Sequence, residues 1–161
     1  MEKPSKQNIG NAGEYYLASI LSAKNFTVTI TLGRNEKYDL LAVNPKGKTI
    51  KLSVKTRFKK VKRFPIDKKC ENLINDDIFY AFIILNEFKQ EPDYWIVPSK
   101  IVAKIIKISH RSWLQQLNKK GKKHKESNIR NFWIVNKRHY PKNWENQLKK
   151  YYKNIEMLMR I

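Results

Sequence analysis

The sequence predicts one α/β domain with the core order αβββαβ, a central mixed sheet flanked by helices and a C-terminal helical extension. Near the N-terminus, apolar residues recur at intervals of three and four, which is typical of an amphipathic helix. Farther along, apolar residues alternate with polar ones or form short runs, and both patterns indicate strands. At 161 residues the chain fits a single domain, with a core over about 8–98 and an extension over about 99–161.

The first elements follow from these local patterns. Apolar spacing predicts a helix over 11–24, and Asn11 followed by Glu14 fits a capping-box-like start. Residues 26–32 are rich in valine, threonine and isoleucine and predict a strand. The polar residues 33–36 predict a loop.

A hairpin is expected next. Strands are predicted over 38–43 and 49–56, joined by a turn that contains proline and glycine. Because side chains alternate between the two faces of a strand, Ser53 and Lys55 share one face. The hairpin brings Asp39 beside them. A carboxylate and an ammonium held together in this way can bind a divalent metal and activate a water near a phosphate.

The middle of the chain is basic and then apolar. Residues 57–69 predict an irregular segment, followed by a short helix over 67–75 with Asp67 as its N-cap. The apolar run 78–85 has the length and residue types of a central strand.

The extension begins with a further strand and a helix. A strand is predicted over 94–97, and a helix begins at Pro98-Ser99. Residues 115–128 are polar and predict a loop, and 132–135 predict another strand. A final amphipathic helix over 143–159 is expected either to close the core or to form an interface between subunits.

Composition limits the functional classes. The chain has 34 Lys and Arg against 14 Asp and Glu, a formal net charge of +20 and a pI near 10.0, which favours a polyanion such as nucleic acid as partner. The single cysteine excludes an intrachain disulfide, and the three histidines have no zinc-site spacing. No apolar run is long enough to span a membrane, so a soluble cytoplasmic protein is expected.

Asp39 at the start of one strand and Ser53-Val54-Lys55 on the next resemble the motif of the PD-(D/E)XK nuclease superfamily. This superfamily includes many restriction enzymes and Holliday-junction resolvases. The resemblance covers about residues 8–85 and implies a restriction endonuclease-like fold and a DNA endonuclease that depends on Mg²⁺ or Mn²⁺. In this interpretation Asp39 holds the metal and Lys55 orients the attacking water.

Ser53 departs from the resembled motif, which has an acidic residue at this position. Either the acid has moved elsewhere, or the site is inactive, or the register differs from the prediction. Some restriction enzymes in the superfamily have Ser-x-Lys here and supply a glutamate from the following helix, so the resemblance implies Glu71 as the relocated metal ligand. Glu14 on the first helix is a further candidate metal ligand, and the alternative for it is the capping role with Asn11.

Two basic segments are candidate nucleic-acid contacts. Phe58 and Phe64 interleave the first segment and either stack on bases or pack inside the protein. The predicted contacts are Arg57, Lys59, Lys60, Lys62 and Arg63 in the first segment and Lys119, Lys120, Lys122 and Lys123 in the second.

The expected partner is double-stranded or branched DNA, and the resemblance implies a homodimer as one assembly. Two other functions stay open at this stage. One is a nuclease-fold module without activity that binds DNA or RNA through its basic surface. The other is a basic RNA-binding or ribosome-associated protein unrelated to nucleases.

Overall fold

The computed structural model describes residues 4–31 and 38–161. The loop predicted over 33–36 and the last position of the strand predicted over 26–32 lie outside these residues. The described strands are β1 (Thr27–Ile30), β2 (Leu40–Val43), β3 (Thr49–Arg57), β4 (Arg63–Asp67), β5 (Ile78–Ile84), β6 (Asp93–Pro98) and β7 (Ile129–Trp133). The α-helices are α1 (Lys6–Ser22), α2 (Ser99–Gln115), α3 (Trp144–Leu148) and α4 (Glu156–Met159), and short 3₁₀ helices lie at Lys68–Glu71, Asn86–Phe88 and Lys149–Tyr151.

Five strands form a central mixed sheet in the order β1-β2-β3-β5-β6. Strands β3 and β5 run parallel, and the other neighbouring pairs are antiparallel. Strands β4 and β7 form a separate two-stranded antiparallel sheet. The predicted α/β class, with a central mixed sheet flanked by helices, is confirmed. Within residues 4–31 and 38–161, none of the helices could serve as a membrane span.

Each face of the central sheet is covered by its own apolar core. On one face, Leu17 and Leu21 of α1 pack against Leu52 and its neighbours, and the C-terminal residues Ile155 and Leu158 complete this core. All five side chains are nearly or fully buried. The C-terminal segment therefore closes the core, which is one of the two roles expected for it.

The opposite face is covered by α2, α3 and the small sheet of β4 and β7. Phe82 of β5 stacks on Phe132 of β7 with ring centroids 4.1 Å apart, and Phe64 of β4 lies 5.1 Å from Phe82. Trp144 of α3 meets Phe132 edge to face. These ring contacts attach the small sheet to the central one.

The segment predicted to be irregular, 57–69, contains strand β4. Phe64 and Ile66 are buried while the alternate positions are exposed, which is the pattern of a strand with one covered face. Pro65 obscures this pattern in the sequence because proline lacks an amide donor. A strand that pairs on one side only, as β4 pairs with β7, tolerates it.

The helix predicted over 67–75 is a single 3₁₀ turn. Its start is as predicted, because the Asp67 carboxylate accepts the N–H of Lys69 at 2.7 Å. The chain then leaves the helix because Asn75 bonds to α2 instead: its N–H and carbonyl contact the hydroxyl of Ser99 at 3.0 and 2.8 Å. Strand β4 and this turn thus connect the parallel strands β3 and β5. The predicted core order has an α-helix in their place.

The prediction of one continuous helix over 143–159 is wrong. The chain forms α3, a 3₁₀ turn and α4. Between them, Lys153 adopts a left-handed backbone with φ of 49°, and its N–H donates to the carbonyl of Tyr94 at 2.9 Å. Tyr152 forms a β-bridge with Trp95. Pairing with the edge strand β6 therefore replaces the helical hydrogen bonds that the amphipathic pattern predicts.

Helix α1 approaches strand β3 closely at Gly13. A carbon added to Gly13 would lie 1.9 Å from Oγ1 and 2.7 Å from Cγ2 of Thr56, so only glycine permits this approach. Glu14 follows Gly13 directly, and the same contact therefore sets how closely Glu14 approaches the sheet.

We expect Gly13→Ala to destabilise the protein by about 1–3 kcal/mol, because the overlap with Thr56 outweighs the higher helix propensity of alanine. Gly10→Ala in the same helix is the matched control. No atom lies within 4 Å of its added carbon, so this variant should be more stable than wild type by about 0.5–1 kcal/mol. Urea unfolding of the two variants measures the difference, and stabilisation by both would show that α1 does not depend on the close approach.

Candidate functional site

The candidate site lies where strand β2 stops facing strand β3. Strand β2 begins at Leu40, opposite Leu52, whereas β3 continues to Arg57 with β5 as its partner. Among residues 4–31 and 38–161, no strand pairs with this edge of β3 beyond Leu52. Asp39 immediately precedes β2, and its carboxylate accepts the N–H of Val54 at 2.6 Å. The N–H of Asp39 donates to the carbonyl of Leu52 at 2.8 Å, which fixes both ends of this residue.

Lys55 and Ser53 lie on the same face as Asp39. The Nζ of Lys55 lies 3.6 Å from Oδ2 of Asp39 and donates to Oγ of Ser53 at 2.9 Å and to the Val54 carbonyl at 3.1 Å. Oγ of Ser53 donates in turn to Oδ2 of Asp39 at 3.4 Å. Ser53 is buried, but the side chains of Lys55 and Asp39 are 32% and 29% exposed. A ligand can therefore reach the charged pair.

Glu14 brings a second carboxylate to this cluster from helix α1. Burial raises the pKa of Glu14 above its usual value, the negative charge of Asp39 raises it further, and the positive charge of Lys55 lowers it. Two interacting carboxylates in a half-buried position favour a cation beside them. The structure thus brings together four of the predicted site residues: Asp39, Ser53, Lys55 and Glu14.

Glu71, the remaining predicted metal ligand, is directed elsewhere. Its carboxylate accepts a hydrogen bond from Nε of Arg130, whose side chain is 2% exposed. Arg130 also lies 3.1 Å from Glu126 and donates to the carbonyl of Ser127 at 2.7 Å. Glu71 and Asp39, both within the described residues, share no hydrogen bond or ion pair. The carboxylate of Glu71, which the resemblance assigns to the metal, is therefore bonded to the buried guanidinium of Arg130.

The oxygen atoms of the cluster fit a metal site that is shared with substrate. Mg²⁺ is commonly held by one or two carboxylates, with water and substrate phosphate in the other positions. Asp39 and Glu14 supply two such carboxylates, and Ser53 adds a hydroxyl. Within residues 4–31 and 38–161, no group of three or more His, Cys, Asp or Glu side chains is placed to hold a metal ion. A metal ion held by Asp39 and Glu14 would need water or substrate in its remaining positions.

Tyr80 also lies beside this cluster, and no pattern in the sequence predicts it. Tyr80 on β5 is opposite Ser53 in the parallel ladder and is 1% exposed. Burial, the Cys70 thiol and the charge of Asp39 all raise the pKa of Tyr80. No local pattern marks this residue, because the register of a parallel strand depends on pairing with a distant segment.

The first basic segment leads away from the site along β3 and β4. Its side chains at Lys59, Lys60, Lys62 and Arg63 are exposed, and Arg57 is half-buried. Of the interleaved aromatic rings, Phe64 is 1% exposed and Phe58 packs against the core beneath α1. The packing role expected as one alternative for these rings is therefore the one the structure shows for Phe64.

The second basic segment forms a tight turn. The Asn118 carboxamide accepts the N–H groups of Lys120 and Lys122 at 2.8 and 3.1 Å, and Gly121 at the tip has a φ of 70°. This turn leaves all four predicted contact lysines exposed to solvent: Lys119, Lys120, Lys122 and Lys123.

The fold is similar to that of a bacterial homing endonuclease, I-Ssp6803I. The likeness has a TM-score of 0.56 and covers 98% of this chain and 94% of the endonuclease, at 12% sequence identity. No protein-family model and no curated protein sequence matches the chain. At this identity, the likeness shows a shared fold.

We predict that Glu71→Gln destabilises the protein by about 3 kcal/mol, because it leaves the buried Arg130 without its main counter-charge. Glu126→Gln on the same guanidinium is the matched comparison. The Glu126 side chain is 53% exposed, so its loss should destabilise the protein much less than the loss of Glu71. Thermal or urea unfolding of both variants measures the two losses, and equal losses would contradict this assignment.

Proposed function

We propose that the protein is an endonuclease that hydrolyses DNA phosphodiester bonds with the help of a divalent metal ion. The observation that carries this proposal is the pairing of Asp39 and Lys55, 3.6 Å apart, with Glu14 close enough to interact with both charges. The pair lies in an accessible notch between β2 and β3. The similarity to an endonuclease fold supports the same class of activity.

In this proposal Asp39 and Glu14 hold the metal, which is Mg²⁺ or Mn²⁺. When bound, such an ion polarises the phosphate and lowers the pKa of a coordinated water. Asp39 is suited to this role because the Val54 N–H and the Leu52 carbonyl fix its position. Because Arg130 engages Glu71, we assign Glu71 no direct contact with the metal.

Lys55 supplies the fixed positive charge of the site. Its contacts with Ser53 and the Val54 carbonyl hold the ammonium against its own strand, so little reorganisation is needed when substrate binds. We infer that Lys55 contacts the phosphate and orients the attacking water. The water oxygen then bonds to phosphorus, and one P–O ester bond breaks to leave a phosphate end and a hydroxyl end. Ser53 positions Lys55 in this scheme.

The basic surface provides the nucleic-acid contacts. Lysines and arginines that neutralise phosphates release condensed counterions, so this binding should weaken steeply as salt increases. The formal net charge of +20 and the exposed turn around Gly121 support this role. We propose double-stranded or branched DNA as the partner, and a homodimer as the assembly that cuts both strands.

One observation favours a second candidate, a nuclease-fold module that binds DNA or RNA without cutting it. Ser53 stands where the resembled motif has an acidic metal ligand, and its hydroxyl accepts a hydrogen bond from Lys55 instead. A hydroxyl is a weaker ligand than a carboxylate for a hard cation. In this alternative, Asp39 serves only to hold β2 and β3 together.

We predict that Asp39→Asn and Lys55→Gln each reduce cleavage of supercoiled plasmid or branched DNA by about a hundredfold or more in Mg²⁺ or Mn²⁺. Asparagine keeps an acceptor for the Val54 N–H, so this variant should remain folded. A nicking assay, with DNA binding measured in parallel at several salt concentrations, tests the prediction.

The matched control is the neighbouring ion pair between Lys51 of β3 and Asp77, which directly precedes β5. Lys51 lies on the same face of β3 as Lys55 and contacts Asp77 at 2.7 Å. Lys51→Gln and Asp77→Asn should therefore cleave DNA about as well as wild type. An equal loss of cleavage in the variants of both pairs would contradict the catalytic roles assigned to Asp39 and Lys55. Salt-sensitive binding without any cleavage by wild type would favour the inactive binding module.

Metal binding at Glu14 has a test that does not require cleavage. A carboxyl with a raised folded-state pKa stabilises the fold at low pH, and this contribution is lost as pH rises through the raised pKa. Glu14→Gln should therefore be at least as stable as wild type at pH 7 in EDTA, and this advantage should shrink as pH falls towards 4.5. Adding Mg²⁺ should raise the melting temperature of wild type more than that of the variant.

The control for this measurement is Glu91→Gln at an exposed ion pair with Lys153. It should respond to Mg²⁺ as wild type does. If Mg²⁺ raises the melting temperature of Glu14→Gln by as much as it does for wild type, Glu14 does not contact the metal.

A further inference from the structure

A pocket opens between the last turns of α2 and strand β7, on the face of the sheet opposite α1. Its walls include Arg63, His110, Trp113, Trp133 and His139. Its volume is about 150 Å³, which can hold one aromatic ring and leaves the rest of a larger ligand at the mouth of the pocket. It shares no residue with the cluster around Asp39.

The pocket lies where the two basic segments meet. Arg63 of the first segment is opposite Trp133 in the β4–β7 ladder. From the second segment, His124 stacks on Trp113 with ring centroids 3.9 Å apart. These two segments are more than fifty positions apart in the sequence, and the small sheet brings them to one place.

The walls of the pocket are positive and contain no acidic side chain. The guanidinium of Arg63 lies 5.4 Å from the centre of the Trp133 ring and makes no ion pair within the described part of the chain. Lys137 lies 4.3 Å from the centre of the same ring. Burial lowers the pKa of His139, and the positive charges of Lys137 and His124 lower it further. An anion in the pocket would offset this repulsion.

Glu126 is the acidic side chain beside the pocket, and it is already engaged. Its carboxylate lies 3.0 Å from Nε2 of His110 and 3.1 Å from Arg130. Glu126 thus pairs with His110 and Arg130. Arg63 and His139 remain available to a ligand.

We propose that this pocket binds one unpaired nucleotide, with its phosphate at Arg63 and His139 and its base against the indole rings of Trp113 and Trp133. Guanidinium and imidazole groups recognise phosphate, and indole rings stack on any base. His124 stacks on Trp113 and Lys137 lies over Trp133, so a base that stacks on either ring would displace one of these side chains. An apolar ligand would leave the cations unpaired. The nucleotide is either free or part of a nucleic-acid strand. The proposal does not depend on cleavage by the Asp39 cluster.

The test uses the full chain in EDTA, so that no cleavage occurs. The probes are 2-aminopurine deoxyribonucleoside monophosphate, a DNA duplex with one unpaired 2-aminopurine, and the same duplex with that base paired. We expect quenching of 2-aminopurine fluorescence by the free nucleotide or by the unpaired base, and weaker quenching of the paired base. Tighter binding of the unpaired base than of the free nucleotide identifies a strand as the source, and the reverse identifies a free nucleotide.

Two arginine variants decide whether the pocket is responsible. Arg63→Gln should weaken binding about tenfold, because it removes the proposed phosphate contact. Arg111→Gln removes the same charge from an exposed position on α2 outside the pocket walls and should bind as wild type does. Equal weakening by both variants would overturn the proposal, since it would indicate only a diffuse positive field. Inorganic phosphate that competes as well as the nucleotide would also overturn it, because the base would then contribute nothing.

Discussion

Strand β3 continues past the point where β2 can pair with it, and the rest of the site depends on how this opening is filled. The N–H of Val54 faces the opening, and the carboxylate of Asp39 accepts it at 2.6 Å. One side chain thus completes the sheet and places a negative charge at its edge. Because residues alternate along β3, Ser53 and Lys55 then lie on the same face as that charge. A constraint of backbone hydrogen bonding therefore organises the candidate chemistry.

The proposed activity draws on both faces of the central sheet. The glycine contact between α1 and β3 brings Glu14 from the α1 side towards the edge where Asp39 lies. Ser53 and Lys55 lie on the opposite face, because they are level with Tyr80 and Phe82 of β5, which belong to the core on that face. Stacked aromatic rings attach the small sheet to this same face, and the small sheet joins the two basic segments around a positive pocket. The candidate site and the pocket therefore share a face of the sheet, although they share no residue.

Local patterns predicted the hairpin with Asp39 and Lys55, because alternation and a tight turn are encoded by neighbouring residues. The engagement of Glu71 by Arg130 was not predictable, because it requires the pairing of β4 with β7, two segments far apart in the sequence. The helix predicted over 143–159 failed for a related reason. The apolar residues do recur at helical spacing, but hydrogen bonds to the edge strand β6 interrupt the helix. Apolar periodicity alone does not reveal such a tertiary partner.

The core beneath α1 is closed by residues near the C-terminus, with consequences for how the chain acquires its structure. Leu158 contributes its side chain to this core, and its carbonyl accepts a hydrogen bond from Asn44 across 114 positions of sequence. During synthesis, α1 and the first three strands emerge long before this covering segment exists. The part of this core that Ile155 and Leu158 cover is then exposed, or shielded by a chaperone, until these residues are made. Final closure is a long-range event, which places it late and makes it slow.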